Sequence, residues 1–157
     1  MGMKQILVMM AAMVLVGQSV VADEKLIAAP IVEKAVRKKL KKPEGKLTEA
    51  EVWKVTSLDL DDTQITDAGL QEVAKLQGLE TLWLGRTKIT DEGLKEVAKL
   101  QKLETLSLGG TKITDVGLKE VAKLQNLMGL QLMVTKVTKA GVAELKKALP
   151  NCEITGP

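Results

Sequence analysis

The sequence lacks histidine, tyrosine and phenylalanine, and it contains only one cysteine and two tryptophans. Without histidine, the protein has no Ser–His or Cys–His nucleophile pair and no imidazole ligand for a metal ion. A single cysteine excludes an internal disulfide and a cysteine-rich zinc site. The net charge of +3 is small, and no basic block interleaved with aromatic residues indicates a nucleic-acid surface. We therefore expect a non-enzymatic protein without a cofactor, a metal ion or a nucleic-acid partner.

The first 22 residues differ in composition from the rest of the chain. They carry one charged side chain, Lys4, then an apolar stretch over residues 6–16 and small or β-branched residues at 20–22. This order is typical of a secretory signal peptide, and the apolar stretch is short for a membrane span. We predict a signal peptide over 1–22 and an exported protein, periplasmic or secreted, without membrane contact after cleavage. An uncleaved membrane anchor is the alternative.

A repeat of 24 residues organises the remaining chain. The first full copy, residues 63–86, reads TQITDAGLQEVAKLQGLETLWLGR, and 87–110 and 111–134 follow it closely. Residues 135–157 are interpreted as a closing unit that is two residues shorter inside. Self-similarity at a fixed period of this length predicts a solenoid of stacked units.

Each repeat combines two hydrophobic periodicities. Leu79, Leu82 and Leu84 form an L-x-x-L-x-L pattern whose last two residues alternate as in a strand with one buried face. The residues before it have the spacing of a helical stripe: Leu70, Val73, Ala74 and Leu76. One strand and one helix per repeat predict an α/β solenoid. We expect a short open arc of about five parallel strands on one face, with helices on the other.

Polar and small residues recur between these segments. Thr66 and its equivalents predict side-chain caps for the helices, and Asp67 places a negative charge at the positive helix end. Thr63 and its equivalents predict a row of hydroxyls that bond to backbone groups of the turn. Gly69 lies in the first helical turn, where glycine costs about 1 kcal/mol relative to alanine. Because this cost recurs in every repeat, we expect a close approach between neighbouring coils.

The combined pattern, L-x-x-L-x-L-x-x-T-x-I-T-D-x-G-L, resembles the leucine-rich repeat family over residues 47–157. The T-D-x-G-L helix start is similar to the ribonuclease-inhibitor-like subgroup. Residues 140–157 resemble the closing unit of short exported bacterial members. The resemblance implies a leucine-rich-repeat solenoid that binds a protein or peptide, and it leaves the partner unidentified because the family binds many unrelated molecules.

Two helical segments are predicted before the repeats. Apolar residues at helical spacing predict a capping helix over 25–42, within an N-terminal cap that covers 23–46. Thr48 and Glu51 have the spacing of a capping box, which predicts a short helix over 47–54. The basic residues of the capping helix are interpreted as its solvated face, and contact with an anionic surface is the alternative.

The outward-facing strand positions are the candidate binding residues, since the leucines between them face the core. Trp83 places a large ring at the centre of this face, Arg86 lies nearby, and both residue types are favoured anchors at interfaces. In the closing unit, Glu153 is assigned to the same column as Trp83. We predict a partner-binding surface of seven residues: Asp59, Asp61, Trp83, Arg86, Ser107, Gln131 and Met133. Alternatively, Trp83 lies flat over its neighbours and binds nothing.

Other roles are considered for the acidic residues, for the cysteine, for the second tryptophan and for Met133. Asp62 joins Asp59 and Asp61 in an acidic corner whose carboxylates are solvated or partner-facing; a Ca²⁺ or acid–base site is the alternative. Cys152 is predicted to pack in a core leucine column. Trp53 is predicted to be structural, between the capping helix and the first coil. Met133 with the following valine either extends an apolar patch or packs under the closing unit.

The size of the strand face limits the binding that we expect. Five short strands expose about 300–400 Å², whereas a standard interface uses about 800 Å² per partner. Binding through this face alone should be weak or transient. Two alternatives to a binding module are a self-associating structural component of the cell envelope and, if the leader is not a signal peptide, an intracellular adaptor.

Overall fold

The computed structural model describes residues 26–157, so the predicted signal peptide lies outside the described residues. The helices are α1 (Pro30–Leu40), α2 (Glu49–Val52), α3 (Asp67–Val73), α4 (Asp91–Val97), α5 (Asp115–Val121) and α6 (Lys139–Ala148). The strands are β1 (Ser57–Asp59), β2 (Thr81–Trp83), β3 (Thr105–Ser107), β4 (Gly129–Gln131) and β5 (Glu153–Thr155). Within residues 26–157, no helix is both long enough and apolar enough to cross a membrane.

The five strands form one parallel sheet in the order of the sequence. Strands β1 to β4 are each followed by a helix, and these four helices, α3 to α6, pack side by side in the order of the sequence. The arc of parallel strands with helices on the other face, predicted from the two periodicities, is confirmed. Strand leucines such as Leu82 and helix residues such as Val97 are almost completely buried. They form one continuous core that runs along the solenoid.

The register of the last strand corrects the sequence analysis. Leu130 pairs with Ile154, so Gly129 lies beside Glu153 and Gln131 beside Thr155. The 24-residue spacing therefore holds at every step, and the closing unit is not shorter. The alternating apolar residues Cys152 and Ile154 suggested a different alignment. In the structure, the longer helix α6 takes up residues that form a loop in the earlier repeats.

Neighbouring repeats are joined by pairs of hydrogen bonds at the helix starts. Asp91 Oδ1 accepts a hydrogen bond from the backbone N–H of Thr114 at 2.8 Å, and Asp91 Oδ2 accepts one from Thr114 Oγ1 at 2.7 Å. The same contacts occur in Asp67–Thr90 and Asp115–Thr138. We call these contacts the Asp–Thr bridges. They stabilise the stacking of successive coils through charge-assisted hydrogen bonds.

The prediction that every repeat threonine caps its own helix is confirmed for two of the four threonines. Thr66 and Thr90 form no side-chain cap bond, whereas Thr114 and Thr138 accept from backbone N–H groups of their helices. The hydroxyl donates to the aspartate of the preceding repeat wherever such an aspartate exists. In the last unit Lys139 replaces the aspartate, so the bridging carboxylate is missing at this position.

The second row of threonines behaves as predicted. Thr87 Oγ1 donates to the carbonyl oxygen of Leu84 at 2.7 Å, and Thr111 Oγ1 donates to that of Leu108 at 2.6 Å. Thr63 and Thr135 make the same contact in the outer repeats. Each hydroxyl therefore satisfies a backbone acceptor in the turn that follows a strand, which a buried turn requires.

The N-terminal segment covers the first coil. Helix α1 begins with Pro30 at its first position and buries Val32 and Val36, whereas Ile31 is exposed. Before the helix, Ile27 is buried and the backbone N–H of residue 28 donates to a glutamate of α3 at 2.8 Å. Helix α2 begins with the predicted capping box. The Thr48 hydroxyl accepts a hydrogen bond from the backbone N–H of Glu51, and the Glu51 carboxylate accepts one from the backbone N–H of Thr48.

The two single residues with structural predictions behave differently. Cys152 is buried as predicted, and burial raises the pKa of its thiol. The prediction that it occupies a leucine column is wrong, because the pairing of Leu130 with Ile154 places Cys152 at the position of Met128. The side chain of Trp53 is 54% exposed, so the prediction that it packs between the capping helix and the first coil is wrong. Its ring instead lies beside Lys102, whose Nζ is 5.9 Å from the ring centroid. Trp53 ends a short helix outside the core leucine columns, and its position in the repeat corresponds to the part-buried Gln77.

Candidate functional site

The outward-facing positions of the five strands form rows across the sheet. The central row contains Asp59, Trp83, Ser107, Gln131 and Thr155, and the first row contains Ser57, Thr81, Thr105, Gly129 and Glu153. Residues in one row lie on adjacent strands, about 4.8 Å apart. The structure therefore brings four of the seven predicted binding residues into one line: Asp59, Trp83, Ser107 and Gln131.

The centre of this face is less open than the sequence suggested. Trp83 is half-buried, and its neighbour Ser107 is only 5% exposed although it points away from the core. Ser107 lies between two larger side chains of the row, Trp83 and Gln131, which accounts for its burial. Ser107 thus faces outward, as its place in the strand predicts, but little of its surface is exposed.

The Ser107 hydroxyl forms no hydrogen bond with residues 26–157. Every completely buried side-chain nitrogen or oxygen of the described chain has a hydrogen-bond partner. Because the Ser107 oxygen has none, it must retain some contact with solvent. An unpaired hydroxyl in a nearly closed site is uncommon, because most buried polar side chains find a partner. The hydroxyl is thus available to a group that approaches between Trp83 and Gln131.

Arg86 is held by the preceding repeat. Its Nε and one terminal nitrogen donate to the two carboxylate oxygens of Asp62, each at 2.5 Å. This hydrogen bonding lowers the pKa of Asp62 and raises the pKa of Arg86 above its usual value. Both residues have a left-handed backbone in the turn after their strand. Arg86 therefore remains exposed beside the central row, but its guanidinium fork is already occupied.

The three aspartates of the first coil have separate roles. Asp61 Oδ1 accepts from the backbone N–H of Gly85 at 2.6 Å, and Asp59 Oδ1 accepts from the backbone N–H of Asp61 at 3.1 Å. Asp62 is paired with the arginine of the next repeat. Nowhere between residues 26 and 157 do three or more acidic, cysteine or histidine side chains form a group able to hold a metal ion. Of the three, Asp59 is the carboxylate that faces solvent on the central row.

An apolar patch lies at both ends of strand β4. Met133 is 61% exposed and Val134 is 86% exposed after the strand, and Met128 is 64% exposed before it. Val134 also has a left-handed backbone (φ 60°), which is strained for a β-branched side chain. The interpretation that these residues pack under the closing unit is wrong, and they extend the candidate surface with apolar side chains.

Two residues of the surface were missed in the sequence analysis. Glu80 and Glu104 occupy the position immediately before strands β2 and β3, where both side chains are exposed at the edge of the sheet. The same glutamate occurs at this position in two successive repeats, so in the sequence it looks like part of the conserved repeat pattern and not like a binding residue. Only the parallel register shows that they lie side by side, next to the first row.

Comparisons with known proteins agree with this architecture. Residues 54–74, 76–98 and 99–122 match the family described as Leucine Rich repeat. Comparison with curated proteins gives no match. Among solved structures, the chain is similar to an internalin (InlF) from Listeria monocytogenes, with a TM-score of 0.64 and 23% identity. That match covers 85% of this chain and 37% of the internalin.

Two further structures show the same likeness. Internalin C2 from Listeria monocytogenes gives a TM-score of 0.58 and 25% identity, over 83% of this chain and 66% of the internalin. A leucine-rich repeat protein of Leptospira interrogans gives a TM-score of 0.51 and 30% identity, over 69% of this chain and 28% of that protein. The chain spans less than two thirds of each of these proteins. Three successive segments within residues 54–122 thus match the leucine-rich repeat family, and the described chain folds as an open α/β solenoid.

Proposed function

We propose that this protein is an exported, non-enzymatic module that binds a protein or peptide through the strand face of its solenoid. Leucine-rich repeat proteins are typically protein-binding modules, and solenoids offer extended surfaces for that purpose. The proposed export depends on the composition of residues 1–22, and we also assign the chain to the ribonuclease-inhibitor-like subgroup and to its short exported bacterial type. The seven predicted residues remain the proposed contact set. Of these, Ser107 would contact the partner only through its hydroxyl, between Trp83 and Gln131.

The observation that carries the proposal is the central row. Three nearly identical repeats place Trp83, Ser107 and Gln131 at the same outward position, so the variation is concentrated where the core imposes no constraint. A half-buried tryptophan at the centre of a face, beside an accessible unpaired hydroxyl, combines an apolar anchor with a polar contact. Interface hot spots are enriched in such tryptophans.

The exposed residues around the rows enlarge the available surface. Glu80, Glu104 and Met128 lie before the strands, and Met133 and Val134 lie after strand β4. A partner that contacts these positions as well as the central row buries more than the about 300–400 Å² of the strands alone. The proposed binding is nevertheless weak or transient, because the combined face is small compared with a standard interface.

Affinity capture from the exported fraction of the source organism tests this proposal. The wild-type chain is compared with Trp83→Ala and with Lys99→Ala, which changes an exposed side chain on the helix side. We expect the wild type and Lys99→Ala to retain the same partner and Trp83→Ala to lose it, with all three proteins folded by circular dichroism. Equal capture by Trp83→Ala and wild type would contradict binding through the strand face.

A second candidate function is self-association as a structural component. The exposed apolar side chains at the two ends of strand β4, Met128, Met133 and Val134, favour it, since exposed apolar surface is typical of contact sites. Light scattering over a hundredfold range of protein concentration separates the two functions. A mass that rises with concentration supports self-association. An intracellular adaptor is the third candidate, and an intact Met1 on the cellular protein would support it.

A further inference from the structure

Negative charge is concentrated on the strand face. Six carboxylates occupy the strand positions and the residues that flank them: Asp59, Asp61, Asp62, Glu80, Glu104 and Glu153. The same positions contain one basic residue, Arg86. By contrast, residues 30–47 contain seven basic and two acidic side chains. The nearly balanced total charge therefore conceals two surfaces of opposite sign.

Four of the six carboxylates have no cation beside them. Asp62 is paired with Arg86, and Asp61 bonds to the backbone of Gly85. The other four are exposed and form no ion pair with residues 26–157: Asp59, Glu80, Glu104 and Glu153. Glu80 and Glu104 are equivalent residues of neighbouring repeats, and like charges side by side on a sheet are unfavourable. A cationic ligand would relieve this repulsion.

The unpaired hydroxyl of Ser107 is an independent sign of a ligand on the same face. It is 95% buried by relative area, it lies next to Trp83 in the central row, and its oxygen remains accessible without a partner. A hydroxyl accepts a hydrogen bond from an ammonium or guanidinium group. An indole ring attracts the same groups through its negative face. Trp83 and Ser107 together therefore suit a basic side chain.

The chain itself provides an example of this contact at the edge of the face. Lys39 extends from helix α1, and its ammonium group donates to the hydroxyl of Ser57 in the first row. Ser57 is two residues from Asp59 on the same strand, so the ammonium lies on the acidic side of the sheet. A cation is thus accommodated on a hydroxyl of this surface. The site at Trp83, one strand further along, has no such cation from the described chain.

We propose that the strand face recognises a peptide segment rich in lysine or arginine. One basic side chain lies beside Trp83, bonds to the Ser107 hydroxyl and faces the Asp59 carboxylate. Other basic side chains of the segment lie along Glu80 and Glu104. This inference rests on the proposed function and adds the chemistry of the partner, which is a cationic protein surface or extended peptide and not a polyanion.

Titration with capped hexa-arginine and hexaglutamate peptides tests the inference, with Trp83 fluorescence as the readout in a Trp53→Phe background. We expect hexa-arginine to shift the Trp83 emission and hexaglutamate to have no effect. We also expect the dissociation constant of hexa-arginine to rise at least tenfold between 50 and 300 mM salt, because screening weakens exposed charge pairs. Binding of both peptides with equal affinity, or of neither, would overturn the inference.

Variants locate the effect on the molecule. Asp59→Asn and Glu104→Gln should each weaken hexa-arginine binding threefold or more, and Ser107→Ala should weaken it without any change in charge. Glu92→Gln is the matched control, since it removes the same charge from an exposed residue on the helix side. An equal effect of Glu92→Gln and Glu104→Gln would overturn the inference, because the attraction would then be general.

The proposed function is tested separately by the captured partner. A partner whose binding depends on Trp83 but not on salt, Asp59→Asn or Glu104→Gln would leave the strand-face function standing and refute its cationic ligand. A partner whose affinity falls with salt, with Asp59→Asn and with Glu104→Gln supports both the strand-face function and the cationic ligand. Trp83→Ala lacks the fluorescent reporter, so its binding of hexa-arginine is measured by titration calorimetry beside wild type. An unchanged affinity of this variant would refute the binding site beside Trp83.

Discussion

Gly117 lies directly against the carboxylate of Asp91 in the preceding repeat. A Cβ at Gly117 would stand 2.4 Å from Asp91 Oδ1, and the equivalent distance for Gly93 and Asp67 is also 2.4 Å. Glycine is therefore needed where the Asp–Thr bridge crosses to the next coil. The close approach expected from the recurring glycine is confirmed, and the bridge supplies its chemical reason.

Gly117→Ala should destabilise the protein by about 1–2 kcal/mol, because overpacking outweighs the higher helix propensity of alanine. Gly129→Ala is the matched control, since its Cβ would meet only Thr105 atoms at 3.8 Å. We expect the control to change stability by under about 0.5 kcal/mol, as surface substitutions do. Thermal or urea unfolding measures both values. A neutral Gly117→Ala would show that the coils are not closely apposed at this point.

Asp91→Ala should cost about 1–2 kcal/mol, because it removes two charge-assisted hydrogen bonds to Thr114. A double-mutant cycle with Thr114→Val measures the side-chain half of the bridge, the hydrogen bond from Thr114 Oγ1 to Asp91 Oδ2, and we expect a coupling energy of at least about 0.5 kcal/mol. Glu92→Ala, in the same helical turn but without a contact to the next repeat, serves as the control. Additive effects of Asp91→Ala and Thr114→Val would contradict an energetic role for the hydroxyl–carboxylate bond of the bridge.

Leu106→Ala should destabilise the domain by about 2–5 kcal/mol, since the completely buried side chain leaves a cavity between neighbouring coils. Lys99→Ala removes an exposed ion pair with Glu96 and should change stability by under about 0.5 kcal/mol. Denaturant unfolding of the two variants gives the comparison. Similar effects would mean that the inward and outward faces are assigned incorrectly.

Acid should weaken the N-terminal capping box. Hydrogen bonds from Lys42 and then from Thr48 lower the pKa of Glu51 from 4.5 to about 2. A lowered pKa in the folded state means that the stabilisation is complete above pH 4.5 and is lost as the pH falls towards 2. Melting temperatures between pH 6 and pH 2 should therefore fall less steeply for Glu51→Gln than for wild type. Parallel curves would contradict this role of Glu51.

The sequence was sufficient for the architecture because each repeat carries the same evidence. The alternation of Leu82 and Leu84 and the helical stripe before them appear in every copy, so the strand and helix assignments support one another. Capping by Thr48 and the hydroxyl row of Thr87 and its equivalents were also predicted from local spacing. Local rules of this kind depend on a few neighbouring residues and need no tertiary information.

Contacts between repeats could not be predicted from these local rules. The Asp–Thr bridges join residues 23 positions apart, and nothing in one repeat indicates that its aspartate acts on the next. The burial of Ser107 depends on side chains from two other strands. The exposed Trp53 was misplaced because an aromatic ring near a helix end suggested packing. Charge on the strand face became visible only when the register brought Glu80 beside Glu104.

The affinity of Trp83→Ala for the captured partner tests the central claim, binding through the strand face, most directly. If Trp83 is the anchor, the variant binds about 30-fold more weakly, equivalent to about 2 kcal/mol. Its stability should change by about 1 kcal/mol or less, because the ring lies outside the core. A Trp83→Ala protein that binds like wild type, yet melts at a much lower temperature, would contradict the account and make Trp83 a residue of the fold.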